Sequence, residues 1–207
     1  MLIGGAMIAD AELLIASARA GDTATLGRLL ELYRNYLRVL ARIEIGRRLQ
    51  GKVDASDVVQ EAFLSAHRYF PNFRGTAEPQ FAKWLREILA GTLANQVRHY
   101  AGTQARDIGL ELGLVSDLDQ SSYGLAAIPV DPHSSPSQQA VRGEQTRLVA
   151  EALSRLPDDY QAVIVLRHME GLPFAEVAER MGKSVDSVEK LWLRGITQLR
   201  RSMGGAS

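Results

Sequence analysis

The sequence predicts an all-α protein made of two small helical domains joined by a flexible linker. Three observations carry that expectation. Apolar residues recur at helical spacing over residues 10–100 and again from Val141 onward. No segment alternates apolar and polar residues as a half-buried strand would. Between them, residues 101–140 lose the period and fill with Gly, Ser, Asp and Pro, including the run PVDPHSSPSQQ.

In the first domain, residues 1–100, Leu26, Leu29, Leu30, Tyr33, Leu37 and Leu40 fall on one helical face with Arg and Glu between them. Gly21-Asp22, Gly51 ahead of Asp54, and the stretch PNFRGTAEP with Pro71, Gly75 and Pro79 break the pattern, since such residues do not sit together inside one helix. Four helices follow, at about 10–20, 23–49, 54–69 and 79–100. In the second domain, residues 141–207, Pro157 and Pro173 suit first helical turns and Gly171 and Gly182 suit helix ends. Four more helices are expected there, at about 141–156, 158–169, 173–181 and 184–201.

Composition narrows the function classes. An apolar share of 46% over 207 residues can supply real cores, which argues against a disordered or fibrous chain. No apolar run approaches the roughly 18–20 residues of a membrane span, and the opening MLIGGAMIAD has neither a basic stretch nor a cleavage site, so a soluble cytoplasmic protein is expected. With no cysteine there is no disulfide, thiolate metal site or thiol nucleophile. The net charge of zero hides a pattern: residues 1–100 carry 13 basic against 10 acidic residues, 101–141 carry 1 against 5, and 142–207 carry 10 against 9. Any nucleic-acid contact must therefore come from local basic stripes or from a partner's help.

The segment LPFAEVAERMGKSVDSVEKLWLRGITQLRR has the layout of a helix-turn-helix. A short helix with Phe174, Val177, Ala178 and Met181 meets Gly182, and a second helix opens at Ser184. Ala178 is small where two helices cross, Gly182 permits a left-handed turn, and the Ser184 hydroxyl can cap free amides. Val188, Trp192 and Leu199 form the buried side of the second helix, leaving Asp186, Ser187, Lys190, Arg194 and Thr197 outward, with Arg200 and Arg201 near phosphate height. A helical hairpin within an ordinary bundle is the plainer alternative.

Four blocks, DAELLIASARAGDTATLGRLLELYRNYLRVLAR, DASDVVQEAFLSAHRYF, FAKWLREILAGTLANQVRHY and EALSRLPDDYQAVIVLRHMEGLPFAEVAERMG, together resemble the extracytoplasmic-function (ECF) sigma factors of bacterial RNA polymerase. The resemblance spans nearly all of the chain outside the linker, with the blocks in the family's order and spacing. It implies a region 2 domain at 1–100, an acidic flexible linker at 101–140 and a region 4 domain with a helix-turn-helix at 141–207. Such a protein is not an enzyme; it binds core RNA polymerase and directs initiation by recognising minus-10 and minus-35 promoter elements. It also implies three sets of contacts. Asp54, Asp57, Gln60 and Glu61 would dock on the polymerase clamp. Phe73, Arg74 and Gly75 of the loop, with Lys83, Trp84, Arg86, Asn95, Arg98 and His99 of the next helix, would take the minus-10 strand. Ser184, Asp186, Ser187, Glu189, Lys190, Leu193, Arg194 and Thr197 would face the minus-35 duplex.

The residues themselves are compatible with these roles and leave alternatives open. Val58, Ala62 and Phe63 share a core face, so Asp57, Gln60 and Glu61 turn outward, where a solvated acidic face is the plainer reading. Trp84 lies in register with Phe81, Leu85 and Ile88, which favours core packing, although melted bases also stack on such rings. Glu189 and Leu191 stand where many family members carry Lys or Arg, which puts the minus-35 sequence in doubt more than the activity. The linker has no Lys or Arg from Asp107 to Val141 but carries Asp107, Glu111, Asp117, Asp119 and Asp131; a solvated tether and a mimic of a polyanion are both open.

Enzyme chemistry finds no support, because His67, His99, His133 and His168 are scattered and no phosphate-cradling glycine loop is present. No catalytic residue, metal or cofactor is expected. The expected partners are core RNA polymerase, promoter DNA and an anti-sigma factor or other regulator, without membrane insertion. A dimeric helix-turn-helix regulator and a helical adaptor that never touches DNA are the competing classes.

Overall fold

The computed structural model describes residues 3–49, 53–101, 108–128 and 139–204. Among these residues there is no strand, and nine α-helices follow one another. They are α1 (Ile3–Arg19), α2 (Thr23–Leu49), α3 (Ala55–Tyr69), α4 (Glu78–Ala101), α5 (Ile108–Ala126), α6 (Gln139–Ser154), α7 (Asp158–Ile164), α8 (Phe174–Met181) and α9 (Val185–Gly204). None of the described helices is long and apolar enough to cross a membrane.

Helix α2 is the axis on which α1, α3, α4, α5 and α6 pack. The stripe Leu26, Leu29, Leu30, Tyr33, Leu37 and Leu40 is buried along it. Its start is set by Asp22, whose carboxylate accepts from the Thr25 hydroxyl and from the Thr25 amide at 3.0 Å, and these two bonds, the hydroxyl's first, hold the Asp22 carboxyl below its ordinary range. Helix α3 begins the same way, with the Asp54 carboxylate accepting from the Ser56 amide at 2.6 Å. Between α3 and α4 the chain makes one 3-10 turn at Phe70–Asn72 and then runs extended at Phe73, where the prolines forbid a continuous helix. Gln80 closes this entry by accepting from the Thr76 amide at 2.9 Å and the Ala77 amide at 3.2 Å.

An aromatic cluster fills the junction. The Phe81 ring lies 5.3 Å from Tyr33, 5.6 Å from Phe73 and 5.6 Å from Trp84 by centroid, in edge or tilted geometry. Phe70 completes it, 5.8 Å from Phe73.

The flexible-linker expectation is corrected over Ile108–Ala126, which forms α5. Leu114, Leu118, Ser121 and Leu125 form one fully buried stripe, with Leu110 half-buried at its head. Helix α5 packs against α4 and α2, and also against α6 and the turn after α7. Its Gly109, Gly113, Ser116, Ser121, Ser122 and Gly124 are poor helix formers, but the buried stripe outweighs their propensity. Residues 102–107 and 129–138, which include Asp107, Asp131, His133 and most of the Pro- and Ser-rich run, lie outside the described residues, as does Gly51.

The second helical body is built on α6, whose Val149, Ala150 and Leu153 are buried with Leu156 just beyond it. Helix α7 widens into a π turn at Val165–Met169 before α8. This body lies against the first. At their junction the buried Glu78 carboxylate accepts from Tyr33 Oη at 2.7 Å, while Arg147 Nε stands 3.6 Å from the same oxygen. Arg147 also covers the Tyr33 ring at 5.0 Å. Burial, with the Glu78 charge beside it, pushes the Tyr33 hydroxyl well above its ordinary value.

Because Phe81 is fully buried and touches four aromatic rings, Phe81→Ala is expected to cost about 3–5 kcal/mol. Urea unfolding followed by circular dichroism would check it, and a loss under 1 kcal/mol, on the order of a surface change, would contradict the central role of this cluster.

Candidate nucleic-acid interface

Three surfaces carry the residues singled out from the sequence. On α3, Val58, Val59, Ala62, Phe63 and Ala66 turn inward, and Asp57 and Gln60 are exposed on the opposite side with Asp54 at its head. Glu61 is half-buried because its carboxylate accepts from Gln96 Nε2 of α4 at 2.9 Å, so only part of it faces outward. Leu64, one turn beyond Gln60 and 62% exposed, belongs to this face although the sequence reading left it out. Its signal was its i+4 spacing from Gln60 and i+7 spacing from Asp57.

The second surface surrounds the start and length of α4. Phe73 is buried in the aromatic cluster, and Trp84 is half-buried against it, 5.1 Å from Phe73. Arg74 is exposed and donates to the Pro71 carbonyl at 3.0 Å. A Cβ on Gly75 would lie 2.4 Å from Phe73 Cζ, so any side chain there would push the ring out of the core. Lys83 is exposed, 4.0 Å from Glu87. His99 is exposed at the far end, edge-on to Tyr100 at 5.5 Å.

Arg86 and Arg98 differ from these because each reaches α5. Arg86 Nε donates to Asp119 Oδ1 at 2.5 Å and Arg86 Nη1 to Tyr36 Oη at 2.9 Å, and Tyr36 Oη in turn donates to Ser122 Oγ at 2.9 Å. Arg98 Nη1 pairs with Glu111 Oε1 at 3.2 Å, and its Nη2 donates to Asn95 Oδ1. Both guanidinium side chains are only 15% exposed. The structure thus gathers Phe73, Trp84 and the adjacent loop at one end, but holds Arg86, Asn95 and Arg98 under contacts to α5 or to one another.

The third surface is α9. Val188, Ile196 and Leu199 are buried against α7 and α8, with Trp192 and Leu191 half-buried beside them. Leu191 is therefore apolar for packing. Ser184, Asp186, Ser187, Glu189, Lys190, Leu193, Arg194 and Thr197 are all exposed. The seven on the helix fall within a continuous stripe. The turn that sets this helix is closed by Gly182 at φ 62°, with the Lys183 amide donating to the Ala178 carbonyl at 3.0 Å and the Gly182 amide to Glu179 at 3.1 Å. Ser184 Oγ accepts from the Ser187 amide at 3.3 Å. Lys190 pairs with Asp186 at 2.7 Å, and Thr197 Oγ1 donates back to the Leu193 carbonyl at 2.7 Å, whereas Arg194 has no partner among the described residues.

This geometry, an unburied polar stripe on the second helix of a helix-turn-helix, meets two family models. Residues 32–103 match Sigma-70 region 2, and residues 146–199 match Sigma-70, region 4. The ECF RNA polymerase sigma-E factor of Haemophilus influenzae is 30% identical over 177 residues, covering 86% of this chain and 86% of that protein. The chain belongs to the ECF sigma factors. The sigma-E factor of Escherichia coli K12 is 28% identical over 182 residues, covering 86% and 85% of the two chains. The ECF sigma factor BldN of Streptomyces coelicolor is 27% identical over 188 residues, covering 91% of this chain and 64% of that one. The family is one of non-catalytic initiation factors, and this sigma factor serves promoter recognition in transcription initiation.

The seating of α9 depends on a titratable contact. Trp192 Nε1 donates to His168 Nε2 at 3.0 Å, which needs a neutral imidazole. Burial, and secondly the nearby Arg167 charge, holds the His168 pKa below its ordinary 6.5. A depressed folded-state value means that the unfolded chain binds the proton more readily, so this contribution is full above about pH 6.5 and is lost as pH falls through the lowered value. With Trp84→Phe as background, the melting midpoint read by Trp192 fluorescence is expected to drop between about pH 7.5 and 5.5 more steeply with His168 than with His168→Gln. Parallel curves for the two proteins would remove His168 as the cause.

Proposed function

We propose that residues 1–100 dock on core RNA polymerase through α3 and hold the minus-10 strand along α4, while residues 141–207 read the minus-35 duplex through α9. The observation that carries this reading is α9 itself: one side closed by Val188, Ile196 and Leu199, the other an exposed stripe in which Arg194 is free to bond. A stripe of this kind fits the major groove, with Arg194 and Lys190 available to guanine edges or phosphates and Glu189 able to accept from a cytosine amino group.

Asp57 and Gln60, with Leu64 beside them and Asp54 and Glu61 at the margins, form the polymerase-facing patch, suited to basic side chains of the clamp. Phe73, Arg74, Gly75, Lys83, Trp84, Arg86, Asn95, Arg98 and His99 serve the minus-10 strand. Among these, Phe73 acts by building the pocket wall, and the half-exposed Trp84 edge is the stacking surface. The chain performs no bond chemistry of its own; binding energy holds bases out of the stack, and the polymerase supplies the catalytic step. Its place is the cytoplasm, where its regulation falls to an anti-sigma factor or a comparable partner.

The decisive experiment is transcription in vitro with purified core enzyme on a promoter library, in which new start sites are expected only when this chain is added. Arg194→Ala is expected to weaken minus-35 recognition in the holoenzyme by about 1–3 kcal/mol, read as promoter affinity on matched and mismatched sites. Unchanged discrimination would take Arg194 out of base reading. The double change Asp57→Ala and Gln60→Ala is expected to reduce capture of core polymerase in a pull-down while thermal stability holds; undiminished capture would move the docking patch elsewhere.

A further inference from the structure

We propose that α5 is an internal competitor for the minus-10 strand: its carboxylates occupy the cations of α4 that the strand would use, so that in the free chain the minus-10 reader is masked while the minus-35 reader stays open. This rests on the minus-10 role of Arg86 and Arg98 proposed above.

Asp119 holds Arg86, and Glu111 holds Arg98, each across the α4 to α5 contact. A third carboxylate, Asp117, pairs with Arg48 of α2, which also bonds Glu44 at 3.2 Å. Helical spacing places Glu111 and Asp119 on one flank of the buried Leu114, Leu118 and Leu125 stripe and Asp117 on the other. The leucines seat the helix, and the charges on either side determine which cations it covers. Along the described part of this segment, residues 108–128, there is no Lys or Arg, so the charged groups α5 offers its neighbours there are all carboxylates.

A nucleic-acid strand presents the same kind of group, an anionic oxygen accepting from guanidinium, at the same donors. Strand and α5 therefore cannot both hold Arg86 and Arg98. The contrast with α9 is direct: Ser184 and all seven α9 residues assigned to the minus-35 duplex are exposed. Core polymerase, on which the chain is proposed to dock, is the agent that would draw α5 away.

The test uses the full chain. Glu111→Gln with Asp119→Asn is expected to bind a single-stranded minus-10 oligonucleotide about ten-fold more tightly than wild type, the gain expected if paired arginines outnumber free ones by about ten to one. Glu176→Gln with Glu179→Gln, an equal charge change on the exposed side of α8, is expected to leave that affinity near wild type. The protein has no cysteine, so spin labels on Glu87→Cys of α4 and Gln120→Cys of α5 report the α4 to α5 distance with Glu111, Asp119 and the arginines they hold all in place. That distance is expected to lengthen when core polymerase and promoter form the open complex. Equal oligonucleotide affinity in the double variant and its control overturns the proposal, and so does an unchanged label distance in an open complex. Start-site selection by the wild type reads the underlying promoter function independently: if transcription is redirected while either of those results fails, the competitor role alone is lost.

Discussion

The arrangement depends on one buried carboxylate. Glu78 stands at the first turn of α4, beside the break at Pro79, and is almost wholly removed from water. A charge there is costly unless paired. Tyr33 from the middle of α2 and Arg147 from α6 supply the pairing, so three helices from both bodies meet at one oxygen. Removing a single partner would strand a charge, a change typically worth about 3–5 kcal/mol, whereas the intact cluster adds little net stability. Its contribution is positional: it sets where α6 lies on α2, and through α6 where the helix-turn-helix sits relative to the aromatic junction.

Most of the secondary structure was legible because burial and period coincide. The α2 stripe from Leu26 to Leu40, the breaks at Gly21 and PNFRGTAEP, and the left-handed Gly182 each follow from local chemistry that needs no partner. Helix α5 was hidden because its glycines, serines and aspartates read as linker composition, although Leu110, Leu114, Leu118 and Leu125 kept a helical spacing. Only the surface offered jointly by α4, α2, α6 and the turn after α7 makes that stripe worth burying. The sites divide in the same way. The α9 stripe is fixed by its own helix's buried side and could be read from the chain alone. The state of Arg86 and Arg98 is fixed by residues 13 to 33 positions away on another element, which no local pattern announces.

Magnitudes separate what seats α5 from what it does. Each fully buried leucine is worth about 1.5–3 kcal/mol relative to exposure, so Leu114, Leu118 and Leu125 dominate its attachment. Ion pairs that are partly open to water contribute about 0–1 kcal/mol each and weaken with salt. The carboxylates of α5 are therefore a poor means of holding a helix and an effective means of screening a basic surface. Their loss would leave the fold in place and change only which anions the α4 arginines can receive.

The charge distribution of the whole chain follows from this division. With 24 basic and 24 acidic residues, it has no long-range field to draw it onto DNA. Its +3 first hundred residues are countered locally by the acidic segment that follows, and the countering is done at Arg86 and Arg98 along α4. Non-specific binding to nucleic acid grows with every free cation that can release a counterion from a phosphate. On the proposed roles, a sigma subunit that searched the genome with its single-strand reader open would be held at any exposed strand. On those same roles, keeping Arg86 and Arg98 paired until polymerase has opened the duplex would tie their contact to the moment when a melted strand exists to receive it.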